Sequence, residues 1–582
     1  MFTKDIDHSR KDDVVLENEK ADDGNLVYSD AETEPDLHLR TYVAVASMFL
    51  LNYVQIIALT GTPVVLSSIA AAVNGTKTET WIPNSLSLVQ AVFCPVIASA
   101  SDVFQARKVI LVVTCLTSFV GSAIAPGSHS LARIVSAQTL IGFGFAAVPL
   151  AYSVPSEILP RKWRAMTQAL LNVAASLAAV SAPLIIGGLT SAYPQNGWRY
   201  FYWIQAGIWG LTAIGIFFGY TPPSRHTRLD HMSLLQKIGQ LDLIGAFLLA
   251  AGLSLILFAV TSGGELYPWR SARIVATLVV GLVVFAGFFV YEWRGTATGI
   301  LHHDLFKGGK NRGRTFVLCV FLIMMEGCLL FSYIIFYPVL TVDLYETDSF
   351  LLASRIVPFW IACGICTSIY GYTAVRLSSI RPGLAIGFLI FTAGIVGLAT
   401  LEPNDSTSAI VFVALAGIGF AAPLILIITG VQLSTPHSLI ATATAVTTSA
   451  RAIAATTFTA IFSAALGDRL RVYIPQYVGD AVGRAGLPST SIPAFIAAFT
   501  ENDQNALRIV KGVTPSIIQA ATMALKQADA DGLRVVYIIA ASFGAVACLA
   551  CFFLGDLSME MDYRVDAPVE ELQAKRHERS KA

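Results

Sequence analysis

Hydrophobic positions in this chain gather in long runs, separated by short stretches that carry the charges, prolines and glycines. A helix needs about 20 apolar residues to cross the hydrocarbon core of a bilayer. By that measure the sequence predicts fourteen membrane spans, numbered here in chain order. The expected spans are 41–72, 81–101, 108–126, 130–154, 165–190, 198–219, 241–262, 272–293, 315–340, 350–375, 382–401, 408–431, 438–466 and 534–555.

Composition supports this pattern. Of the 582 residues, 55% are hydrophobic and 13% are charged, against roughly 25% charged residues in soluble proteins. A soluble chain of this length has too little core to bury so much apolar surface. The formal net charge is zero, so charge gives no indication of a nucleic-acid partner. We predict an all-α polytopic membrane protein.

Basic residues in the short connections predict the orientation. If the N-terminus is cytosolic, the connections after even-numbered spans also face the cytosol, where Lys and Arg are expected to collect. The opposite short connections carry chiefly Lys77, Arg199 and Arg270. The basic residues on the predicted cytosolic side are Arg107, Lys108, Arg161, Lys162, Arg164, Arg225, Arg228, Lys237, Lys307, Lys310, Arg312, Arg314, Arg376 and Arg381. Both termini are therefore predicted to be cytosolic, with the plasma membrane as the expected location.

Two N-x-[ST] sequons give an independent indication of the outer side. They begin at Asn74 and Asn404, and both fall in connections predicted to face outward. Glycosylation acceptors of this kind lie in exposed loops of secreted or surface proteins. Asn74 and Asn404 are therefore candidate N-glycosylation sites.

The chain ends and the last connection differ from the apolar runs. Residues 1–40 hold twelve Asp/Glu and five Lys/Arg, which predicts a disordered acidic cytosolic tail. Residues 558–582 are predicted to form a second cytosolic tail, and 467–533 a long outer loop.

The eight cysteines lie inside apolar runs. This position favours packing over a disulfide framework. Two pairs have CxxC spacing, Cys363 with Cys366 and Cys548 with Cys551, and the same interpretation is favoured for them. No metal site and no cofactor are expected.

A short repeat divides the spans into two sets. Span 4 contains GFGFAA, residues 142–147, and span 12 contains GIGFAA, residues 417–422, each followed closely by proline. Span 12 is the fourth of a second set of six if that set begins at span 9. Transporters are often built from such repeats. We predict an N-terminal six-helix half over 41–220, inserted spans 7 and 8 with linkers over 221–314, and a C-terminal half over 315–557.

Four motifs carry a resemblance to a known family. They are Ser156–Arg164 (SEILPRKWR), Trp198–Ile204 (WRYFYWI), Leu241–Gly245 (LDLIG) and Ser101–Lys108 (SDVFQARK). Over about 41–555 the chain resembles the major facilitator superfamily, in particular its fourteen-span drug:proton antiporter branch and the fungal trichothecene-efflux-pump-like group. Two antiporter motifs depart from that pattern: the usual span 4 arginine is Gln138, and the span 5 motif is reduced to Ala182–Gly188 (APLIIGG).

The resemblance implies a major facilitator fold and a secondary active transporter. The implied activity is proton-coupled efflux of a small amphipathic secondary metabolite, toxin or drug. In this family spans 1, 4, 9 and 12 line the substrate cavity, and Asp102, Arg107 and Lys108 match the cytosolic gating motif. Candidate cavity residues on those spans are Asn52, Gln55, Gln138, Tyr333 and Tyr337.

Two charges lie deep inside apolar spans, where an unpaired charge is costly and marks a functional candidate. They are Glu326 of span 9 and Arg451 of span 13. Three interpretations stay open: Glu326 binds and releases a proton under the influence of Arg451, the two form a permanent structural pair, or they contact substrate.

Two other functions remain as alternatives. A siderophore-iron:proton symporter, working in uptake, has the same number of spans. A polytopic membrane enzyme or sensor is more remote, because the histidines fall in tails and loops and His302-His303-Asp304 has no further partners. We expect a monomeric transporter rather than an enzyme, with a small molecule, protons and the lipid bilayer as partners.

Overall fold

The computed structural model describes residues 28–73, 81–222, 241–263, 267–296, 299–307, 312–346, 348–500, 507, 509–570 and 572–574. Within those residues fourteen helices are long and apolar enough to cross a membrane. The same part of the chain contains isolated β-bridges but no strand. The predicted all-α fold with fourteen spans is confirmed.

The helices follow the predicted apolar runs closely. Beyond its main helix, span 1 continues through a 3₁₀ turn at Thr62–Val65, which contains Pro63, and then a short α-helix. Span 4 is interrupted at Ala147. The spans comprise helices Leu39–Gly61 with Leu66–Ala72, Trp81–Phe104, Arg107–Ile124, Leu131–Ala146 with Val148–Ile158, Arg164–Ala192, Gly197–Gly219, Leu243–Ser262, Ala272–Arg294, Gly313–Leu344, Ser349–Leu377, Arg381–Ala399, Ser406–Ser434, Ile440–Arg484 and Pro515–Cys551.

Buried apolar side chains form two large clusters. One is built mainly from spans 1–6 and the other mainly from spans 9–14. A smaller cluster joins spans 7 and 8 to Val92 of span 2. The inserted pair therefore packs against the outside of the bundle.

The GxGFAA repeat occupies equivalent positions in the two clusters. A Cβ on Gly142 would meet Val89 of span 2, and one on Gly417 would meet the Phe359 carbonyl of span 10. The second glycines repeat this relation, with Gly144 against span 3 and Gly419 against span 11. Because only a residue without a side chain permits such close helix contact, the repeat marks the same packing role in each set of six.

Spans 5 and 10 form one contact between the two sets, and spans 2 and 13 form another. Gly364 packs against Ser176, and Gly371 against Ala169. Between spans 2 and 13, the Cys94 Sγ lies 3.2 Å from the Thr448 hydroxyl.

Both ends of the described chain lie on one face of the bundle, which we call the terminus face. Tyr28 pairs with Val565 and Pro35 with Ala574. The backbone N–H of Arg161, in the connection after span 4, donates to the Arg564 carbonyl at 3.0 Å. The connections after even-numbered spans therefore open on the same side as the termini.

The tail predicted to be disordered over 1–40 is described from residue 28, and this part contacts the C-terminal segment instead of remaining free. The described part of the predicted cytosolic tail 558–582 also packs against the bundle. Tyr28 is 8% exposed, and Val565 is fully buried. We call residues 555–570 the C-terminal strap, because they run across the terminus face from Gly555, beside Thr315, to Glu570, beside Thr41. The strap alternates charged and apolar residues. It packs against the bundle because its carboxylates form ion pairs with arginines of the basic connections.

The predicted outer loop 467–533 is also different, because its described part is mostly helical. Span 13 runs on to Arg484, Ile492–Thr500 forms a short helix, and span 14 begins at Pro515. A small core that includes Val478, Phe495 and Ile517 joins these segments on the opposite face of the bundle. Residues 467–533 contain too few apolar positions to predict a membrane span. They contain enough to give each of these helices one buried face against the small core.

Candidate functional site

Asp102 and Arg107, predicted as gating residues, lie at the contact between the two halves. Arg107 Nη2 lies 3.0 Å from Asp102 Oδ1, and Arg107 also forms an ion pair with Glu157. The other Asp102 oxygen accepts hydrogen bonds from the backbone N–H and the hydroxyl of Thr442, at 3.1 and 2.7 Å. Thr442 opens span 13, so this cluster joins the first half to the second.

Lys108, the third residue of that motif, lies apart from the cluster. Its ammonium is 5.0 Å from the centre of the Phe217 ring of span 6. This cation–π contact holds span 3 against span 6. The structure thus brings together only the first two of the three predicted gating residues.

Arg164 connects the segment after span 4 to span 12. Its side chain is 3% exposed and forms an ion pair with Asp566 of the strap. Nε donates to the Ser156 carbonyl at 3.2 Å, and Nη1 to the Gln432 carbonyl at 2.6 Å. The planar array of donors on a guanidinium suits such a three-way contact.

Asp566 is a functional candidate that sequence reasoning missed. Its carboxylate is 5% exposed and pairs with both Arg161, at 2.5 Å, and Arg164. Burial alone raises the pKa of Asp566, but the charges of Arg164 and Arg161 lower it, so the net pKa lies below the ordinary value. No spacing rule connects an acidic residue in a charged tail with a connection some 400 residues earlier.

Two buried glutamines meet across the halves, next to Arg164. Gln168 Nε2 lies 3.2 Å from Gln432 Oε1 and donates to the Ser156 hydroxyl at 2.8 Å. Gln432 in turn donates to the Tyr152 carbonyl at 3.3 Å. Both glutamines are fully buried. Together with the ion pairs, they close the terminus face.

Glu326 and Arg451 are brought together in the middle of the second half. Arg451 Nε lies 2.9 Å from Glu326 Oε2; the Glu326 side chain is fully buried, and the Arg451 side chain is 19% exposed. Glu326 lies about 20 Å along its helix from Gly313, at about 1.5 Å per residue. Spans 9 and 13 approach closely here, since a Cβ on Gly327 would lie 3.2 Å from the Arg451 carbonyl oxygen.

The Glu326–Arg451 pair leaves hydrogen-bonding capacity unused. Glu326 Oε1 and Arg451 Nη2 are buried and have no hydrogen-bond partner among the residues described. The Tyr152 hydroxyl, from the first half, lies beside Asn52 and within electrostatic range of both charges. A charged pair with free capacity, close to a hydroxyl of the other half, is suited to exchange a proton or to hold a polar ligand group.

The candidate cavity residues of the first half use their amide donors in helix–helix contacts. Asn52 Nδ2 donates to the Leu171 carbonyl at 2.6 Å, and Gln55 Nε2 to the Gly144 carbonyl at 2.8 Å. Gln138 donates to a span 6 tyrosine hydroxyl at 2.7 Å. The amide oxygen of each is buried without a hydrogen-bond partner in the described structure. Each therefore keeps one free acceptor.

The candidate cavity residues of the second half belong to an aromatic stack. The ring centres of Tyr333 and Tyr337 are 5.4 Å apart, and Tyr333 lies 4.2 Å from Phe359. Both tyrosines are buried. They form an apolar wall with hydroxyl groups inside it.

The remaining predicted positions are separate from these clusters. Asn404 is exposed in the connection between spans 11 and 12, on the face opposite the termini, whereas Asn74 lies outside the described residues. All eight cysteines are free. His303 contacts the Glu292 carbonyl at 3.0 Å, which ties the connection after span 8 to that span.

Solved structures of similar architecture identify the fold of this chain. The human organic anion transporter MFSD10 (TETRAN) matches with a TM-score of 0.52 and 12% identity, over 87% of this chain and 99% of that one. The proton:xylose symporter XylE matches with a TM-score of 0.52 and 12% identity, over 88% of this chain and 94% of that one. The fold is that of the major facilitator superfamily, a class of membrane transporters.

Within that class, the chain belongs to the fungal trichothecene efflux pump (TRI12) family, whose model matches residues 14–578. Efflux pump FUS6 of Gibberella fujikuroi is 24% identical over 87% of both chains. MFS-type transporter ucsD of Acremonium sp is 26% identical over 59% of this chain and 57% of its own length. The predicted resemblance is confirmed, and the protein is a transporter rather than an enzyme.

Proposed function

We propose that this protein exports a small amphipathic molecule of the trichothecene or secondary-metabolite type in exchange for protons. Family membership supports efflux, as do relatives named as efflux transporters, such as ffsH of Aspergillus flavipes. The uptake of ferric siderophores, considered from the sequence, receives no such support.

The observation that carries proton exchange is the Glu326–Arg451 pair. A fully buried carboxylate with a single ion partner and one unsatisfied oxygen changes its interactions strongly on protonation. Protonation releases Arg451 from charge pairing and allows spans 9 and 13 to adjust. Deprotonation restores the pair, so proton occupancy biases the relation between the halves.

The terminus face supplies the closed end of an alternating-access cycle. Asp102, Arg164 and Gln168 of the first half bind the ends of spans 12 and 13. These contacts must break for the path to open on that side. With the termini cytosolic, as the basic connections favour, the structure represents a state closed to the cytosol.

The substrate then occupies the space between spans 1, 4, 9 and 12. The free amide oxygens of Asn52, Gln55 and Gln138 offer hydrogen-bond acceptors, and Tyr333 with Tyr337 offers aromatic contact. A few polar groups in a largely apolar wall suit an amphipathic ligand.

The cellular setting belongs to the same proposal. The protein acts as a monomer in the plasma membrane, with the halves at 41–220 and 315–557 and the inserted spans between them. Asn404 is exposed where a glycan would attach on the outer side.

Export by purified protein in liposomes tests this function. A radiolabelled trichothecene is followed with and without a pH gradient, and with a protonophore, beside protein-free liposomes. Gradient-driven movement that stops with the protonophore supports the proposal. Equal movement in the presence and absence of the gradient would refute proton coupling, and none under any gradient would refute this substrate class.

A further inference from the structure

Span 9 carries a line of polar residues from the middle of the membrane toward the opposite face. Glu326, Tyr333 and Tyr337 are separated by seven and four residues. At about 100° per residue, these positions fall within about 40° of one another around the helix axis. The line extends about 16 Å, from the Glu326–Arg451 pair to the region where span 9 approaches its end.

The tyrosines on this line have unsatisfied hydroxyl groups. Tyr333 and Tyr337 are 1% and 0% exposed, and neither hydroxyl has a hydrogen-bond partner in the described part of the chain. Tyr537 of span 14 is equally buried, with an unpartnered hydroxyl, and lies within electrostatic range of both. Three buried phenols without partners in one neighbourhood require water or a ligand.

A proline adds a fourth polar group among these hydroxyls. Pro338 lies inside the span 9 helix, and a proline has no N–H to donate to the carbonyl four residues earlier. The Ile334 carbonyl, between the two tyrosines in sequence, therefore lacks its helical donor. In membrane helices such carbonyls are commonly satisfied by ordered water.

A charged group stands at the outer end of the line. The Arg355 guanidinium lies near the Tyr337 hydroxyl. It pairs with Glu346 at 2.8 Å and with the Ser406 hydroxyl at 2.7 Å. The Glu346 side chain is 28% exposed, so the polar line leads from a buried carboxylate to a group in contact with solvent.

From these positions we propose that Tyr333, Tyr337 and Tyr537 hold a chain of water through which Glu326 exchanges its proton with the opposite face. The inference rests on the proposed function, in which Glu326 is the proton-binding group. The tyrosines are positioning residues: each hydroxyl fixes a water, and none loses its own proton.

The proton transfer balances without another reactant. The Glu326 O–H bond breaks as its proton passes to a water oxygen. Each water in turn accepts one proton and releases another, and the last proton enters solvent beside Glu346. In the other direction the same steps load Glu326. The groups that face the Glu326 carboxyl are Arg451, the Tyr152 hydroxyl and the Cys363 thiol.

The test measures proton exchange at Glu326 directly, independent of any substrate. Infrared difference spectra of the purified full chain are recorded after a rapid pH change, and the carboxylic acid band lost in E326Q is assigned to Glu326. The variants are Y333F, Y337F, Y537F and the triple variant, which keep the rings and remove only hydroxyls. Y372F, a tyrosine that is 57% exposed on the surface of span 10, is the matched control.

We expect the Glu326 band to keep its titration midpoint in all the Phe variants. In the triple variant its relaxation should slow by about tenfold or more, since positioned proton transfer contributes on the order of 10² in rate. Each single variant should give a smaller slowing, and Y372F none. The single variants keep the test decisive if the triple variant fails to fold.

The outcomes separate the two proposals. A band that is present and relaxes at the wild-type rate in every Phe variant would overturn the water chain while leaving Glu326 as the proton site. Spectra in which E326Q loses no titrating band would instead refute the function proposed for Glu326, and the water chain with it.

Discussion

The terminus face and the middle of the second half both bury charge, but in different ways. At the terminus face Asp102, Arg107, Arg164 and Asp566 each contact two or more partners. In the middle of the second half, Glu326 and Arg451 form an ion pair with one another, and each keeps buried polar atoms without a hydrogen-bond partner among the described residues.

This difference separates two roles. A network in which each charge has several partners is costly to open and fixes one arrangement. A buried ion pair with free hydrogen-bonding atoms is held in place by fewer contacts, and it can bind a proton or a polar ligand group. We therefore propose that the terminus face acts as a latch that holds the halves together, and that Glu326–Arg451 is the element that changes state.

The largest loss of stability is expected when Arg164, the cation with contacts to three segments of the terminus face, is removed. R164A removes one of the two cations that bind Asp566 and the donor to the Gln432 carbonyl. It should lower the free energy of unfolding by about 3 kcal/mol, because two buried acceptors lose a hydrogen bond. R161A, at the edge of the same network where the side chain is 22% exposed, should cost about 1 kcal/mol. Denaturant unfolding in mixed micelles measures both, and equal losses would contradict the central position of Arg164.

The next effect separates coupling from structure at Glu326. E326Q should reduce gradient-driven export by about 100-fold or more, because the amide binds no proton. Exchange of labelled for unlabelled substrate, which needs no net proton movement, should persist. E292Q makes the same change at a buried carboxylate of span 8 and serves as control. Loss of exchange together with export in E326Q would favour a permanent structural pair.

D566N tests the strap with a reporter already in the chain. Cys94 is buried between spans 2 and 13, so its alkylation rate, measured after replacing the other cysteines, reports opening of the terminus face. Loss of about 1–2 kcal/mol from the latch should raise that rate by about 5–30-fold. An unchanged rate in D566N would mean that the strap does not hold the face closed.

The same reporter gives a pH prediction for Asp566. Because its folded pKa is lowered below the ordinary 3.8, its stabilisation is present above that value and lost as the pH falls through the folded pKa. The Cys94 labelling rate of the wild type, divided by the rate of a free thiol at the same pH to remove the change in thiolate fraction, should therefore not change between about pH 7 and 5. A rise over that interval that disappears in D566N would contradict the lowered pKa.

The smallest effect is expected for Lys108. K108Q removes a cation–π contact worth about 0.5–1 kcal/mol within the first half, so Cys94 labelling should stay close to wild type. R107Q, which removes a charge that binds Asp102, should increase it. Similar increases in the Cys94 labelling rate in K108Q and R107Q would mean that Lys108 also helps to hold the terminus face closed.

The sequence predicted the features that depend on local pattern. Apolar run length located the spans, and GxGFAA located equivalent packing positions because small residues are needed wherever helices approach closely. Depth in an apolar run also selected Glu326 and Arg451, since a charge there needs a specific partner.

Other features depend on contacts between distant segments and left no local signal. Asp566 lies in a charged segment that, read alone, favours a solvated tail, and its burial depends on Arg161 and Arg164. Gln432 reads as one polar residue in an apolar span until Gln168 is placed opposite it. The helices within 467–533 were missed because one apolar face on a small core needs few hydrophobic residues.

Proton release on substrate binding tests the central claim most directly. Purified wild-type protein in a weakly buffered solution with a pH indicator is mixed with a trichothecene, beside E326Q and E292Q. If Glu326 is the group that exchanges a proton for substrate, wild type and E292Q should release protons, and E326Q should bind the trichothecene without release. Equal release from E326Q and wild type would contradict the claim.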